Sequence, residues 1–175
     1  MKEMKQTILC CLLIASSFVA SAQDRAKDEK QINDQIDSMI ADWNRHNFDN
    51  LSRYTTADFD WVNIVGHWWK GQKQNKFGLE AFHNSFFKNT PQKKSQTHVR
   101  FVTNDVAIVH LFWSVGAFYP PDGVNRGTNK MGDDKELATL VTVKQNGKWL
   151  ITAGQNIVIN EDAEKSNPVN YMPKE

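Results

Sequence analysis

The sequence predicts an α+β fold in which helices come first and a meander of antiparallel strands follows. Apolar residues recur every three or four positions in the first half of the chain, which is typical of amphipathic helices. They alternate with polar residues over much of 96–159, which is typical of strands. Asn146-Gly147 adds the strongest hairpin signal in the chain. A length of 175 residues suits a single domain.

Three helical segments are predicted before the sheet. The first covers 32–43, after a polar stretch, 23–31, that is expected to be frayed. Its buried stripe consists of Ile32, Ile36, Met39, Ile40 and Trp43. Residues 51–54 predict one further helical turn, and 75–88 predict a helix that Thr90-Pro91 ends.

Five strands are predicted around these helices. The first alternates from Phe59 and ends at Gly66, and the others are 96–103, 106–119, 137–144 and 148–159. The segment 120–134, rich in proline and glycine, is unusually long for a loop in a compact domain, and such loops are often functional. We therefore expect one folded domain over 23–160, followed by a loosely ordered tail, 161–175.

The charges of the chain are balanced. Lys and Arg together number 21, against 20 for Asp and Glu, so the formal net charge is +1. Because the positive and negative charges are nearly equal in number, a nucleic-acid-binding protein and a polybasic membrane protein are both disfavoured. Hydrophobic residues make up 40% of the chain, a globular composition that excludes intrinsic disorder.

The N-terminal segment has the parts of a secretory signal peptide. Lys2 and Lys5 precede an apolar run, 8–15, and the segment ends in Ala20-Ser21-Ala22. The run is too short to span a bilayer core of about 30 Å. We therefore expect residues 1–22 to be cleaved after Ala22, giving a secreted or periplasmic protein without a stable membrane anchor. A retained N-terminal anchor is the alternative.

Cleavage would remove both cysteines of the chain. Cys10 and Cys11 lie inside the predicted signal peptide, so the mature protein would have no thiol. Thiol catalysis, thiolate metal sites and redox exchange are then excluded from the predicted function. The histidines show no metal-ligand spacing, and no phosphate-binding loop occurs, so no metal and no cofactor is predicted. A metal site assembled in space from His67, His98 and His110 is the alternative.

Several segments together resemble a known family. They are Thr56-Ala57-Asp58-Phe59 with Gly66, Val99-Arg100-Phe101 with Asp105-Val106-Ala107-Ile108-Val109-His110, and Gly147-Lys148-Trp149-Leu150-Ile151 with Ala153-Gly154-Gln155-Asn156. In this order they resemble the SnoaL-like branch of the nuclear transport factor 2-like superfamily, and within it the SgcJ/EcaC-type domains. The similarity covers about residues 30–159.

The resemblance implies a cone-shaped α+β barrel with a cavity at one end, in which a curved antiparallel sheet packs on N-terminal helices. It also implies a homodimer formed through the sheet. Family members include isomerases, cyclases, dehydratases and domains without established activity, so the fold alone does not decide the function. In isomerase-like relatives a carboxylate near the end of the first strand takes the substrate proton. The nearest position here is Asn63, which cannot act as a base.

Candidate site residues come from the strands and from the segment after the first strand. His110 and His67 are the candidate catalytic residues, because imidazole titrates near neutral pH. For His110 a hydrogen-bonded core histidine is the alternative, since alternation shows which residues share its face but not which face lines the cavity. The predicted ligand-binding wall consists of Trp61, Asn63, Trp69, Phe82, Phe112 and Gln155.

Three functions remain open from the sequence. The first is a secreted pocket domain that binds a small, mostly apolar organic ligand. The second is a cofactor-free acid–base enzyme in which His110 or His67 moves protons and Asn63 or Gln155 orients a carbonyl group. The third is a non-catalytic dimeric interaction module in which the loop 120–134 meets a partner.

Overall fold

The structure is a computed structural model that describes residues 2–173, with side chains described for 23–173. The predicted signal peptide, residues 1–22, lies outside the residues whose side chains are described. Among the residues that the structure describes, no helix is long and apolar enough to cross a membrane.

Three helices precede most of the sheet: α1, Lys2–Arg45, α2, Leu51–Tyr54, and α3, Gly71–His83. The expectation that 23–31 is frayed is wrong, because these residues continue α1. Two contacts hold this part of the helix on the sheet. The Arg25 guanidinium lies 4.4 Å from the centre of the Phe101 ring, and Asp28 accepts a hydrogen bond of 2.7 Å from Lys144.

The sheet has six strands, one more than predicted. They are β1, Thr55–Val62, β2, Trp68–Lys70, β3, Gln92–Phe101, β4, Val106–Val115, β5, Asp134–Gln145, and β6, Lys148–Val158. Their order in the sheet is β2-β1-β6-β5-β4-β3, so the sheet is not closed. Strands β3 to β6 form the expected antiparallel meander, whereas β1 pairs with β6 in parallel. Helices packed on a curved, unclosed sheet confirm the predicted α+β cone.

The hydrophobic core occupies one end of this cone. Residues of α1, α2, β1, β4, β5 and β6 form the core cluster, which combines aliphatic side chains with the aromatic side chains of Tyr54, Phe59, Trp113 and Trp149. The core side chains with no measurable exposure include Ile32, Ile36, Val109, Leu140, Trp149 and Ile151. Removing this much apolar surface from water stabilises the closed end of the domain.

A β-bulge in β6 decides which of its residues face the helices. Trp149 and Ile151 point inward, and the register with β5 then shifts by one residue. Because side chains alternate along a strand, the shift reverses the inward positions, and Gly154 and Asn156 face inward instead of Gln155. This reversal places an amide at the open end of the cone.

The chain ends in short helical turns on the surface. Asn160 caps α4, Glu161–Glu164, by accepting hydrogen bonds of 3.0 Å from the amides of Asp162 and Ala163, and a 3-10 turn follows at Pro168–Tyr171. No residue of either turn is buried. Loose ordering of the tail stays a prediction.

Candidate functional site

A cavity of about 580 Å³ lies at the open end of the cone, next to the core, and Tyr54, Phe59 and Trp113 belong to both. It lies between α3, the inner face of the sheet, and the segments after β1 and β4. Eleven aromatic residues take part in its wall: Trp43, Phe48, Tyr54, Phe59, Trp61, Trp69, Phe82, Phe86, Phe87, Trp113 and Phe118. Its volume and apolar lining match those of small-molecule sites, which span about 300–1,000 Å³.

Two of the wall indoles lie directly on glycines. The Trp61 ring covers Gly154 of β6, where a Cβ atom would overlap the ring. The Trp69 ring covers Gly78 of α3, where a Cβ atom would stand 2.7 Å from the indole carbons. The absence of a side chain at both glycines lets the rings lie flat against the wall, so the space in front of them stays open.

A buried amide holds three wall elements together. Asn75 of α3 is 1% exposed, and its Nδ2 donates towards the carbonyl oxygens of Phe59 at 3.0 Å, Gly71 at 2.9 Å and Trp69 at 3.2 Å. These contacts fix α3 against β1 and β2. They therefore position the aromatic side chains of Phe59 and Trp69 at the cavity.

One nearly buried carboxyl group lies in this apolar wall. Glu136 of β5 is 5% exposed and lines the cavity. Its Oε2 accepts hydrogen bonds from Trp113 Nε1 at 3.0 Å and from Asn156 Nδ2 at 2.6 Å, which come from the neighbouring strands β4 and β6. Among the described residues Oε1 has no such partner. Two hydrogen bonds to Oε2 therefore orient the carboxyl group, while Oε1 accepts no hydrogen bond from the described residues.

The electrostatic surroundings of Glu136 are unusual for a buried acid. Burial raises the pKa of Glu136, the two hydrogen bonds oppose that rise, and the nearby charge of Asp134 adds to it. Asp134 also lines the cavity. None of the described lining residues is a lysine or an arginine. The cavity therefore holds two acidic groups and no permanent cation.

The predicted residues Asn63 and His67 lie in a turn at the cavity mouth. Asn63 Oδ1 accepts hydrogen bonds from the amides of Val65 at 3.2 Å and His67 at 2.9 Å, so its side chain stabilises the turn. Both residues line the cavity, but His67 is exposed. A substrate carbonyl group would be oriented by the donor Nδ2, which lies 3.3 Å from His67 Nδ1 in the same turn.

The structure places Trp61, Asn63, His67, Trp69 and Phe82 at the cavity, as the sequence predicts. Their roles in binding or catalysis stay predictions.

Three predicted site residues lie elsewhere. His110, Phe112 and Gln155 are on the outer face of the sheet, where His110 pairs in register with His98 and its Nδ1 lies 3.3 Å from Thr139 Oγ1. Their placement in the cavity wall is wrong. On β4 the odd-numbered residues face inward, and on β6 the bulge turns Gln155 outward. The two candidate catalytic histidines are therefore not brought together.

A different histidine is buried behind the aromatic wall. His83 is 4% exposed, its Nδ1 lies 2.6 Å from His46 Nδ1, and its ring packs edge-on against Trp43 at 4.4 Å. Burial, followed by the influence of His46, lowers the pKa of His83 to about 4. His83 is therefore neutral at neutral pH. No three described His, Cys, Asp or Glu side chains are grouped to hold a metal ion.

The sequence analysis missed Glu136, Trp113 and Asn156 as site residues. The predicted strand 137–144 begins three residues after the start of β5 at Asp134, so Glu136 lies outside the predicted strand. Its alternation with Ala138 and Leu140 is the signal that could have placed it on the inner face. Asn156 carried no comparable signal, because the bulge that turns it inward is not visible in the sequence pattern.

The fold and the cavity together define a class of protein: an α+β domain whose curved sheet encloses a pocket at its open end. Solved structures show the same class. An uncharacterised protein with a cystatin-like fold from Caulobacter vibrioides is 27% identical, with a TM-score of 0.76, and the match covers 83% of this chain and 99% of that one.

Two further structures extend the comparison. A nuclear transport factor 2-like protein from Novosphingobium aromaticivorans is 14% identical, with a TM-score of 0.68 and coverage of 83% of this chain and 91% of that one. The hexachlorocyclohexane dehydrochlorinase LinA-type3 from Novosphingobium barchaimii is 13% identical, with a TM-score of 0.65 and coverage of 78% and 90%. The sequence matches no protein-family model and no curated protein sequence. The chain has the nuclear transport factor 2-like, cystatin-like fold.

Proposed function

We propose that this protein is a secreted domain that binds a small, mostly apolar organic molecule in its cavity. The observation that carries the proposal is the space of about 580 Å³, lined by aromatic side chains and holding one nearly buried carboxyl group. The SnoaL-like, SgcJ/EcaC-type subfamily and export by residues 1–22 are parts of the same proposal.

The structure of the cavity wall favours a ligand-binding function over a closely packed interior. The indoles of Trp61 and Trp69 pack on Gly154 and Gly78, so no side chain stands beneath these two rings. An apolar lining that stays open leaves hydrophobic surface in contact with water. A ligand that covers this surface gains about 25 cal/mol for each Å² removed from water, which favours a molecule with an apolar body.

The test is a binding screen with a matched pair of variants on one helix. Leu79 lines the cavity, whereas Phe77 is 75% exposed on the same helix. We expect isothermal titration of the protein with small aromatic compounds to show saturable binding. Leu79→Trp fills the cavity and should abolish it, and Phe77→Trp should leave it unchanged. Saturable binding that survives Leu79→Trp would place the ligand elsewhere.

Export has its own test. Mass spectrometry of the protein collected from its native host should give a mature chain beginning at Gln23. A chain that keeps residues 1–22 would favour the retained anchor.

A second candidate function is a cofactor-free acid–base enzyme in the same cavity. Glu136 favours it, because a buried carboxyl group whose pKa is raised is suited to take or give a proton. A dehydrochlorinase with the same fold is consistent with this chemistry. Glu136 would be the proton-transfer group, in place of the predicted His110.

Turnover measurements test the enzyme. Elimination and isomerisation substrates of suitable size should be converted by the protein, and Glu136→Gln should lower kcat at least about 100-fold, the usual contribution of general acid–base catalysis. Glu80→Gln, a matched change at a half-exposed position on α3, should have no effect. Conversion that is unaffected by Glu136→Gln would rule out this role.

We propose a homodimer through the outer face of the sheet. Ile108, Phe112, Leu137 and Val141 are half-buried on that face and lie outside the core cluster. A second copy would cover this apolar surface. Phe112→Asp should convert the dimer to a monomer in light-scattering measurements, and Phe77→Asp, at an exposed site on α3, should not.

A further inference from the structure

The charges and polar groups around the cavity point to the chemical class of its ligand. We infer that the cavity takes an organic cation, such as a protonated amine on an aromatic or alicyclic body, whose ammonium group is bound by the free oxygen of Glu136. This inference rests on the proposed binding function and names the ligand class for the same site.

First, the charge of the described cavity lining favours a cationic ligand. Among its 28 residues the carboxyl groups of Asp134 and Glu136 are the acidic side chains, and none is a lysine or an arginine, although the chain has 21 of these. An anionic ligand would meet two like charges in a site of low dielectric constant, where repulsion is strong. A cationic ligand would meet attraction from both.

The second step is the hydrogen bonding of Glu136. Trp113 and Asn156 both donate to Oε2, and no described residue donates to Oε1. Glu136 also forms no ion pair with a described residue, although it is 5% exposed. A buried carboxylate without a cation is costly unless a partner arrives. An ammonium group provides both the missing positive charge and the missing donor.

The third step is the aromatic surface next to the carboxyl group. The Trp113 indole, which donates to Glu136, has its ring centre 6.1 Å from that of Trp61. Indole faces attract cations as well as apolar groups. Trp113 presents its Nε1–H edge to Glu136, so the aromatic wall around the carboxyl group can cover the apolar body of a bound cation.

Three compounds of nearly equal size test the inference by isothermal titration: 2-naphthylmethylamine, 2-naphthylmethanol and 2-naphthoate. At pH 8 the protonated amine should bind about tenfold more tightly than the alcohol, the effect of one charge-assisted hydrogen bond, and naphthoate should bind most weakly. Glu136→Gln should remove the tenfold preference of the protein for the amine over the alcohol. Glu80→Gln, outside the cavity, should leave the preference intact.

A pH series on the unmodified protein gives a second measurement that does not depend on a variant. Asp134 on the same strand is the charged group that acts on Glu136, while β4 and β6 present the neutral Trp113 and Asn156. As the pH falls from 8 to 4, Glu136 becomes protonated and loses its charge, so affinity for the amine should fall. Affinity for the uncharged alcohol should not fall over the same pH range.

The outcomes separate the two claims. If the alcohol and the amine bind equally, or naphthoate binds most tightly, the cation inference is overturned and the binding function stands. If the preference for the amine persists in Glu136→Gln, the inference is also overturned, because another group recognises the cation. If none of the three compounds binds, both the inference and the proposed function fail.

Discussion

Asp28 and Glu136 are both nearly buried acids on the inner side of this domain, and their surroundings differ. Asp28, at the packed end, is 7% exposed and accepts a hydrogen bond of 2.7 Å from Lys144. Burial alone would raise its pKa, but Lys144, with support from Trp149 and Arg25, lowers the pKa below its usual value. Glu136, at the cavity, has no cationic partner among the described residues, and its pKa is raised.

The difference shows how the two ends of the cone serve different purposes. At the packed end, buried side chains such as Ile36, Val109 and Trp149 fill the space and the buried charge is paired within the protein, so the region is complete by itself. At the open end, aromatic side chains surround an empty space and the buried charge is unpaired. A region that leaves both apolar surface and a charge unsatisfied is suited to a ligand.

The sharpest test of this comparison deletes the same side chain at each end. Leu140 is fully buried in the core, and Leu79 lines the cavity. Leu140→Ala should lower the free energy of unfolding by about 3 kcal/mol, because it opens a new void in close-packed surroundings. Leu79→Ala should cost about 1 kcal/mol, because the space beside it is already open. Urea denaturation measures both, and equal costs would mean that the cavity is filled in solution.

The glycines beneath the indoles give the next largest effect. Gly154→Ala forces the Trp61 ring away from β6 and also places a methyl group 2.9 Å from Leu140, so we expect a loss of about 2 kcal/mol. Gly78→Ala also moves an indole, Trp69, but it gains about 1 kcal/mol of helix propensity. Thermal unfolding should therefore rank Gly154→Ala as clearly more damaging. The reverse order would contradict the tight contact in the sheet.

Breaking the charge pair of the packed end should have a smaller effect. Asp28→Asn should cost about 1 kcal/mol at pH 7, since the ammonium of Lys144 keeps some contact with water. The pKa of Asp28 is lowered by folding, so its contribution is present above the ordinary pKa of an aspartate and is lost as the pH falls through the lowered value. The variant and the wild type should converge in acid.

The matched control for that change lies on the same helix. Asp34 pairs with Lys30 at an exposed position, so Asp34→Asn should cost less than about 0.5 kcal/mol. A cost as large as that of Asp28→Asn would show that burial does not distinguish the two pairs.

The last predicted effect is a gain in stability, whereas the others are losses. Folding raises the pKa of Glu136, so the ionised form costs stability above that pKa and the cost disappears below the ordinary pKa of a glutamate. Glu136→Gln should therefore raise Tm by about 2 °C at pH 7 and have little effect near pH 4. Differential scanning calorimetry at the two pH values checks this. A lower Tm at pH 7 would mean that the carboxylate is already neutralised in the free protein.

Local patterns in the sequence predicted much of the fold. The apolar stripe of α1 and the Asn146-Gly147 hairpin both form as expected, because each depends on residues close together in the chain. The parallel pairing of β1 with β6 was not predicted. The start of α1 was predicted to be frayed, but it is helical. Both depend on contacts with distant residues, such as that between Arg25 and Phe101, which no local pattern contains.

The candidate site was predicted only in part for a similar reason. Trp61 and Phe82 were placed at the cavity by face and by aromatic character. Alternation grouped His110 with Phe112 correctly, but it left the choice of face open, and packing against α1 made the opposite face of β4 the inner one. Glu136 is one of the first three residues of β5, which the predicted strand 137–144 leaves out, because strand boundaries are where sequence-based prediction is weakest.

The pairing of β1 with β6 also determines the order in which the molecule is completed. Thr56 Oγ1 donates to Thr152 Oγ1 at 3.1 Å across 96 positions of sequence, and the Trp61 indole rests on a glycine of the same late strand. Contacts between such distant residues form late, because a long loop must first be closed. During synthesis the cavity is therefore among the last features to be completed, because the late strand β6 contributes Asn156 to its wall.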